Sequence, residues 1–314
     1  MIPSPPLVSV VLPTFRRPDL VVRAARDALS QTMSDLEVVA VVDGLDDETV
    51  QALGRLGDDR LRVLVPPRNL GNAGARNHGL TAARGTWIAF LDDDDAWAPQ
   101  KLARQVARGE AAQAEGTALP IVSCRFDAVA PGRRYTWPKR FPRAGEPVSE
   151  YLFTRRRPSV DGAIQTSTLL VPRALTEKVR FDDALGRYVD LDWLLRAARV
   201  PGVVLVFEDG PPLSTYAMDD GRARISNEPD WRRDVAWLDA RRHLTTPRAR
   251  AAYLLTQASI RAKQAGEPAL WPLLRQARRE GRFSGGELTF HLANSLLPTG
   301  VRRRLSGRPA RGAR

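Results

Sequence analysis

Four short runs of apolar, largely β-branched residues recur through the first hundred positions: LVSVVL (7–12), EVVAVV (37–42), LRVLV (61–65) and TWIAFL (86–91). No other feature narrows the choice of fold so far. Each run is short for a helix and reads as a strand, EVVAVV as a buried one. Between them lie segments of helical spacing: 18–31, with Leu20, Ala24, Ala28 and Gln31 in step, then 47–56 and 72–84. Strands and helices alternating at this pitch imply an α/β fold, a mostly parallel sheet flanked by helices. Ligands on such sheets sit at the carboxyl ends of the strands. The loops there are PTFRRPD, DGLDDE and DDDDAWAP, and two of the three are acid-rich.

Past residue 115 the alternation weakens. Strands are expected at 118–129, 163–172 and 203–209 and a helix at 190–199, with an Arg- and Pro-rich loop at 131–158. From about 222 the pattern turns helical, and Trp231, Trp237, Tyr253, Leu254, Leu255 and Trp271 are expected in a small helical core. Charge divides the chain in the same way. Residues 1–215 carry 28 Lys and Arg against 27 Asp and Glu, whereas 216–314 carry 20 against 9. The last fourteen residues hold six arginines and no acid, the composition of a frayed end. No apolar run reaches the ~18 residues of a membrane span. The N-terminal stretch reads as a strand rather than a leader. The single cysteine, Cys124, cannot form an internal disulfide or build a thiolate metal site, and is expected as an inert core thiol. That fits a cytoplasmic protein.

Four consecutive aspartates, Asp92 to Asp95, follow the fourth strand. If strand geometry continues past Leu91, Asp92 and Asp94 share one side while Asp93 and Asp95 point elsewhere. An Asp-x-Asp pair suits a hard divalent cation, Mg2+ or Mn2+, that completes its shell with water and phosphate oxygens. The alternative is a solvated acidic turn before a helix with Pro99 at its start. Four identical residues also leave the register of any metal ligand open.

Three segments in order carry a more specific message. They are VSVVLPTFRRPDLVVRAARDALSQT, NLGNAGARNHGLTAARGTWIAFLDDDDAWAPQKLARQ and FDDALGRYVDLDWLLRAAR. Together they resemble the family-two glycosyltransferases with the GT-A fold, of the bacterial cell-surface polysaccharide type. The resemblance runs from Val8 to about Arg199, with a weaker echo to about Leu244. It implies a GT-A domain over 1–215, with a nucleotide-sugar-binding half at about 7–117 and an acceptor half at about 118–215, followed by a basic α-helical appendage at 216–314. It also implies residue roles. Pro13, Thr14 and Phe15 line the base and ribose, Arg17 contacts ribose or phosphate, and Asp43 accepts a hydrogen bond from the base. Val42 stands where many members carry a second acid. Gly74 and Arg76 face the sugar nucleotide, Asp92 binds sugar or ribose, Asp93 belongs to the donor set, and Asp94 holds the metal. Asp190 is the general base, preceded by Val189 where members often have glutamate. Thr166 and Asp192 are acceptor-side candidates.

The implied reaction is an inverting, metal-dependent transfer from a UDP, dTDP or GDP sugar to a hydroxyl on a lipid-linked or cell-surface glycan. One base and no enzyme nucleophile would give inversion in a single step. The basic appendage then suggests an anionic membrane surface as a further partner, on the inner face of the plasma membrane. Nucleic acid is not expected, because the acid cluster would repel a phosphate backbone and no zinc module or aromatic RNA platform is visible. Two other readings stand: a nucleotidyltransferase, which would release pyrophosphate, and a catalytically silent scaffold of the same fold. Sugar, base and oligomeric state stay open.

Overall fold

The computed structural model describes residues 4–155, 161–218 and 229–297. The arginine-rich end at 301–314 lies outside them. The chain forms two compact units, Met1–Pro142 with Ile164–Ser226, and Arg143–Ala163 with Asn227–Arg314.

The first unit begins β1 (Val8–Thr14), α1 (Pro18–Leu29), β2 (Leu36–Val42), α2 (Asp47–Gly54), β3 (Leu61–Leu64), α3 (Gly71–Ala82), β4 (Trp87–Phe90), β5 (Ala96–Trp97) and α4 (Lys101–Ala114). It continues through β6 (Leu119–Cys124), β7 (Phe126–Ala130) and β8 (Arg133–Trp137). After α5 (Val148–Phe153), which belongs to the second unit, come β9 (Leu170–Pro172), α6 (Arg173–Lys178), α7 (Val189–Ala197), β10 (Val203–Glu208) and β11 (Ser214–Ala217). Seven strands form one sheet in the order β10-β6-β9-β4-β1-β2-β3. Only β9 runs antiparallel to its neighbours. This is the mostly parallel sheet that the early alternation of strands and helices implied.

Side-chain alternation sorts the sheet's two faces. Val8, Val10 and Leu12 of β1, with Val38, Ala40 and Val42 of β2, join the core under α1, α2 and α4 through Val21, Ala24, Leu53 and Leu102. On the other face Gly79 of α3 lies against Val11 and Val41, so closely that a Cβ there would stand 2.7 Å from a Val11 methyl. Phe90 of β4 meets Phe181 at 5.4 Å and Trp193 of α7 at 5.8 Å, edge-on in both cases. That aromatic cluster ties β4, which leads into the aspartates, to α7, which carries Asp190.

Two expectations for the middle of the chain change. The strand expected at 118–129 breaks at Arg125 and enters a second, four-stranded sheet, β5-β11-β7-β8, whose last strand lies in the expected loop 131–158. Residues 156–160 of that loop are outside the described set. The strand expected at 163–172 is instead a buried 3-10 turn, Thr166–Thr168, followed by the three-residue β9.

The second unit packs α5, α8 (Trp231–Ala240), α9 (Pro247–Tyr253), a π-helical turn at Leu254–Ala258, α10 (Ser259–Gln264), α11 (Leu270–Glu280) and α12 (Gly285–Leu296). Its core contains Trp237, Tyr253, Leu254, Leu255 and Leu273, and Phe153 of α5 packs edge-on to Tyr253 at 4.9 Å. Trp231 is only half-buried, donating its indole N–H to Glu267. Trp271 departs from expectation: it is 60% exposed. No helix among the described residues is long and apolar enough to cross a membrane.

Candidate active site

The carboxyl ends of β1, β2 and β4 open onto a cavity of about 580 Å3, and the start of α7 and the turn before β9 line it as well. From the expected donor set, Pro13, Thr14, Phe15, Arg17, Asp43, Arg76, Asp92, Asp93 and Asp94 reach this cavity, and so do Thr166 and Asp190. Gly74 and Asp192 do not. Gly74 lies where α3 packs on Leu70, with an added Cβ only 2.7 Å from the Leu70 Cβ, and it lines a separate depression with His78 and Asp183. Asp192 is fully buried and accepts a 2.7 Å hydrogen bond from the Arg196 Nε one turn on, so its carboxylate serves the helix.

The four aspartates divide by parity. Asp93 and Asp95 are buried, while Asp92 and Asp94 are half-exposed. Asp93 accepts from the Thr14 hydroxyl at 2.7 Å and from Arg17 at 3.0 Å. Burial raises its pKa above the ordinary carboxylate value, with Thr14 and Arg17 working against that shift. Asp95 is deeper still, 1% exposed, and accepts from Ser167 and from the Gln165 amide. Burial, reinforced by the charge of Asp92, holds its carboxyl well above the usual range. Asp92 pairs with the buried Arg76, whose guanidinium also bonds Asn72 and lies 5.5 Å over the Phe181 ring. Asp94 lies 3.9 Å from Arg17. The four carboxyls are thus met by two arginines, two hydroxyls and an amide.

Asp43 accepts a 2.6 Å hydrogen bond from the Leu70 backbone N–H, which fixes its carboxylate at the end of β2. Asp190, second residue of α7, is met by the Thr166 hydroxyl at 3.5 Å. The backbone is strained at both edges of the cavity. Among the described residues only Arg16 (φ 53°) and Tyr188 (φ 63°) are non-glycine residues in the left-handed region. One aims Phe15 and Arg17, the other starts the helix bearing Asp190. Such conformations persist where the surrounding structure over-determines them, often at sites.

Among the described residues no three His, Cys, Asp or Glu converge as an all-protein metal cage. The donor set fits a different kind of cation, one that takes one or two carboxylates and completes its shell from a phosphate ligand. Asp94 and Asp92, the two outward members of the run, offer those oxygens.

Sequence reasoning passed over several lining residues. Gln165, Arg187 and Tyr188 each stood in a segment already singled out, but their side chains have no fixed spacing from the acids. Arg187 is 5% exposed with its guanidinium 4.9 Å from the Tyr188 ring centre. Cys124 is buried as expected, and burial pushes its thiol up to about 11.

Comparison with known proteins bears on this arrangement. The model of the family described as "Glycosyl transferase family 2" matches residues 9–168. The amylovoran biosynthesis glycosyltransferase AmsB of Erwinia amylovora is 25% identical over 264 residues, covering 82% of this chain and 85% of AmsB. The succinoglycan biosynthesis protein ExoO of Rhizobium meliloti is 42% identical over 110 residues, 35% of this chain; this match spans only 32% of ExoO. Among solved structures, TarS of S. aureus in complex with UDP-GlcNAc superposes with a TM-score of 0.55 at 15% identity, over 97% of this chain and 93% of that one. That likeness concerns the fold.

Proposed function

The chain belongs to glycosyl transferase family 2, and from that premise we propose that it moves a sugar, with inversion, from a nucleoside-diphosphate sugar to a hydroxyl of a lipid-linked or cell-surface glycan. The observation that carries this reading is the convergence on one cavity of the strand-end acids Asp43, Asp92 and Asp94 with Asp190 at the start of α7. A transferase of this kind needs a cradle for an anionic leaving group and a base for a hydroxyl, and the two sets have different surroundings here.

Asp43 receives the base, and Phe15, 46% exposed, offers it a ring face. Arg17 and Arg76 bring positive charge next to the diphosphate. Asp94, with Asp92, would hold Mg2+ or Mn2+, which when bound offsets charge on the leaving diphosphate. Asp190 takes the acceptor proton as the hydroxyl oxygen attacks the anomeric carbon on the face opposite the leaving group. Thr166 orients that carboxylate by its hydroxyl. AmsB acts in amylovoran biosynthesis by its name, and TarS binds UDP-GlcNAc; a polysaccharide product and a UDP-type donor are therefore the first to test, with GDP and dTDP as the other bases.

The test is thermal stabilisation by UDP, GDP, dTDP and CDP, each with and without Mn2+, together with anomer analysis of product. One nucleotide should stabilise the protein in a metal-dependent way, and Asp94→Ala should abolish that. Asp190→Asn should keep nucleotide binding and lose about 10²–10⁴-fold in transfer. No stabilisation by any nucleotide at saturating concentration would favour a silent scaffold, and release of pyrophosphate would favour a nucleotidyltransferase.

A further inference from the structure

Helix α11 has two unlike sides. Leu273, Leu274 and Ala277 are buried in the second unit's core. At about 100° per residue, Trp271, Arg275, Arg278 and Arg279 fall together on the opposite arc, and all four are exposed, as is Pro272. Trp271 is the most exposed aromatic side chain in this unit's large hydrophobic set, at 60%.

The charges on this arc are unlike most arginines of the unit's other helices. Arg232, Arg242, Arg248, Arg250 and Arg261 each lie within 4.0 Å of a carboxylate. Arg275, Arg278 and Arg279 make no ion pair among the described residues. The one acid of α11, Glu280, is turned to Arg242 and Arg250. Arg282, just past the helix, is exposed too, and the sequence adds six arginines after residue 300.

We propose that the exposed arc of α11 docks on an anionic lipid bilayer. The chemistry fits term by term. Guanidiniums with no carboxylate partner among the described residues match lipid phosphates, which they can grip with two hydrogen bonds. An indole among them suits the boundary between headgroups and acyl chains. A protein partner would call for a broader apolar patch than one indole and one proline. The function of such docking rests on the reading that the acceptor is lipid-linked; the surface itself does not depend on it.

Co-sedimentation with vesicles tests this on the full chain, with no nucleotide or acceptor present. Neutral phosphatidylcholine vesicles are compared with vesicles containing about a third phosphatidylglycerol at about 0.1 M salt. The wild type should bind only the anionic vesicles, with a blue shift of indole emission that Trp271→Phe removes. The combined change Arg275→Gln, Arg278→Gln and Arg279→Gln should weaken binding about 100-fold, at roughly fivefold per arginine. Removing residues 301–314 should leave most of the indole shift. Undiminished nucleotide-dependent thermal stabilisation of the variants would show that they fold and keep the donor site; should the wild type bind no nucleotide, the vesicle result stands by itself. Four results would overturn the proposal: no vesicle binding, equal binding to neutral vesicles, wild-type binding by the triple variant, or tighter binding to DNA than to anionic vesicles.

Discussion

Ser167, fully buried behind the cavity, ties down three residues of the segment after β4. Its hydroxyl donates to Asp95, and its oxygen accepts from the Asp92 backbone N–H at 2.9 Å. Its carbonyl accepts the Trp97 indole N–H at 2.8 Å. Ser167→Ala keeps the last contact and removes the first two, leaving a buried carboxyl and a partly buried N–H short of partners. Such losses cost about 1–3 kcal/mol, so urea unfolding should show a fall of that size, and nucleotide affinity should drop because Asp92 loses its anchor. An unchanged midpoint and affinity would show that the aspartate run holds its shape without this hydroxyl. The two roles differ in how far they could be read from sequence. The split of Asp92 and Asp94 from Asp93 and Asp95 is what strand alternation past Leu91 predicts, although β4 ends at Phe90 and the Asp95 N–H closes a turn on the Asp92 carbonyl at 3.1 Å. Ser167 sits in a Thr-Ser-Thr run equally suited to a plain strand, and nothing local marks its partner 72 positions earlier.

At the level of single elements, the approach of α3 to the sheet offers a contest between two known effects. Gly79→Ala gains about 1 kcal/mol of helix propensity. The added Cβ would stand 2.7 Å from one Val11 methyl and 3.2 Å from one of Val41, both in a closed core. Overpacking of that kind costs about 1–3 kcal/mol. The clash should win, with a net loss of stability in chemical denaturation and weaker nucleotide binding as α3 carries Arg76 outward. In the second unit, Glu280 of α11 joins Arg250 of α9 at 2.7 Å and Arg242 at 2.7 Å, and the Arg250 hydrogen bond chiefly holds its carboxyl down to about 2. A carboxylate with a lowered folded pKa stabilises fully above its unfolded value of 4.5 and loses that contribution as pH falls through about 2. Thermal unfolding scanned over that acidic window should therefore show a slope that Glu280→Gln flattens. Elements of the first half were legible because buried parallel strands are continuous apolar runs. β8, RRYTW, was not, because a half-exposed edge strand carrying two arginines reads as loop. β9 has only three residues, too few for any period to register.

For the molecule as a whole, composition pointed to one boundary near residue 215, where net charge changes. The packing crosses between units three times instead. Residues 143–163 belong with the C-terminal helices, and α5 is why. Tyr151, Leu152 and Phe153 are buried. Phe153 meets Tyr253, Thr246 donates to Glu150 at 2.8 Å, and the Arg155 N–H donates to Glu287 at 2.9 Å. Charge is a surface property and follows the solvated faces of the later helices, whereas the placement of α5 is set by three apolar residues inside an Arg- and Pro-rich stretch. The difference has a consequence for truncation. A chain ending at residue 218 keeps every strand of both sheets, yet it exposes the apolar side of α5, a patch of the kind that drives association. It should aggregate when expressed alone. The same truncation carrying Tyr151→Ser, Leu152→Ser and Phe153→Ser should stay monodisperse in size-exclusion chromatography and retain metal-dependent nucleotide stabilisation. Were the unmodified truncation monodisperse, α5 would not depend on the C-terminal helices for its cover. Were both to aggregate, the first unit's own sheets would need the second unit for reasons beyond α5.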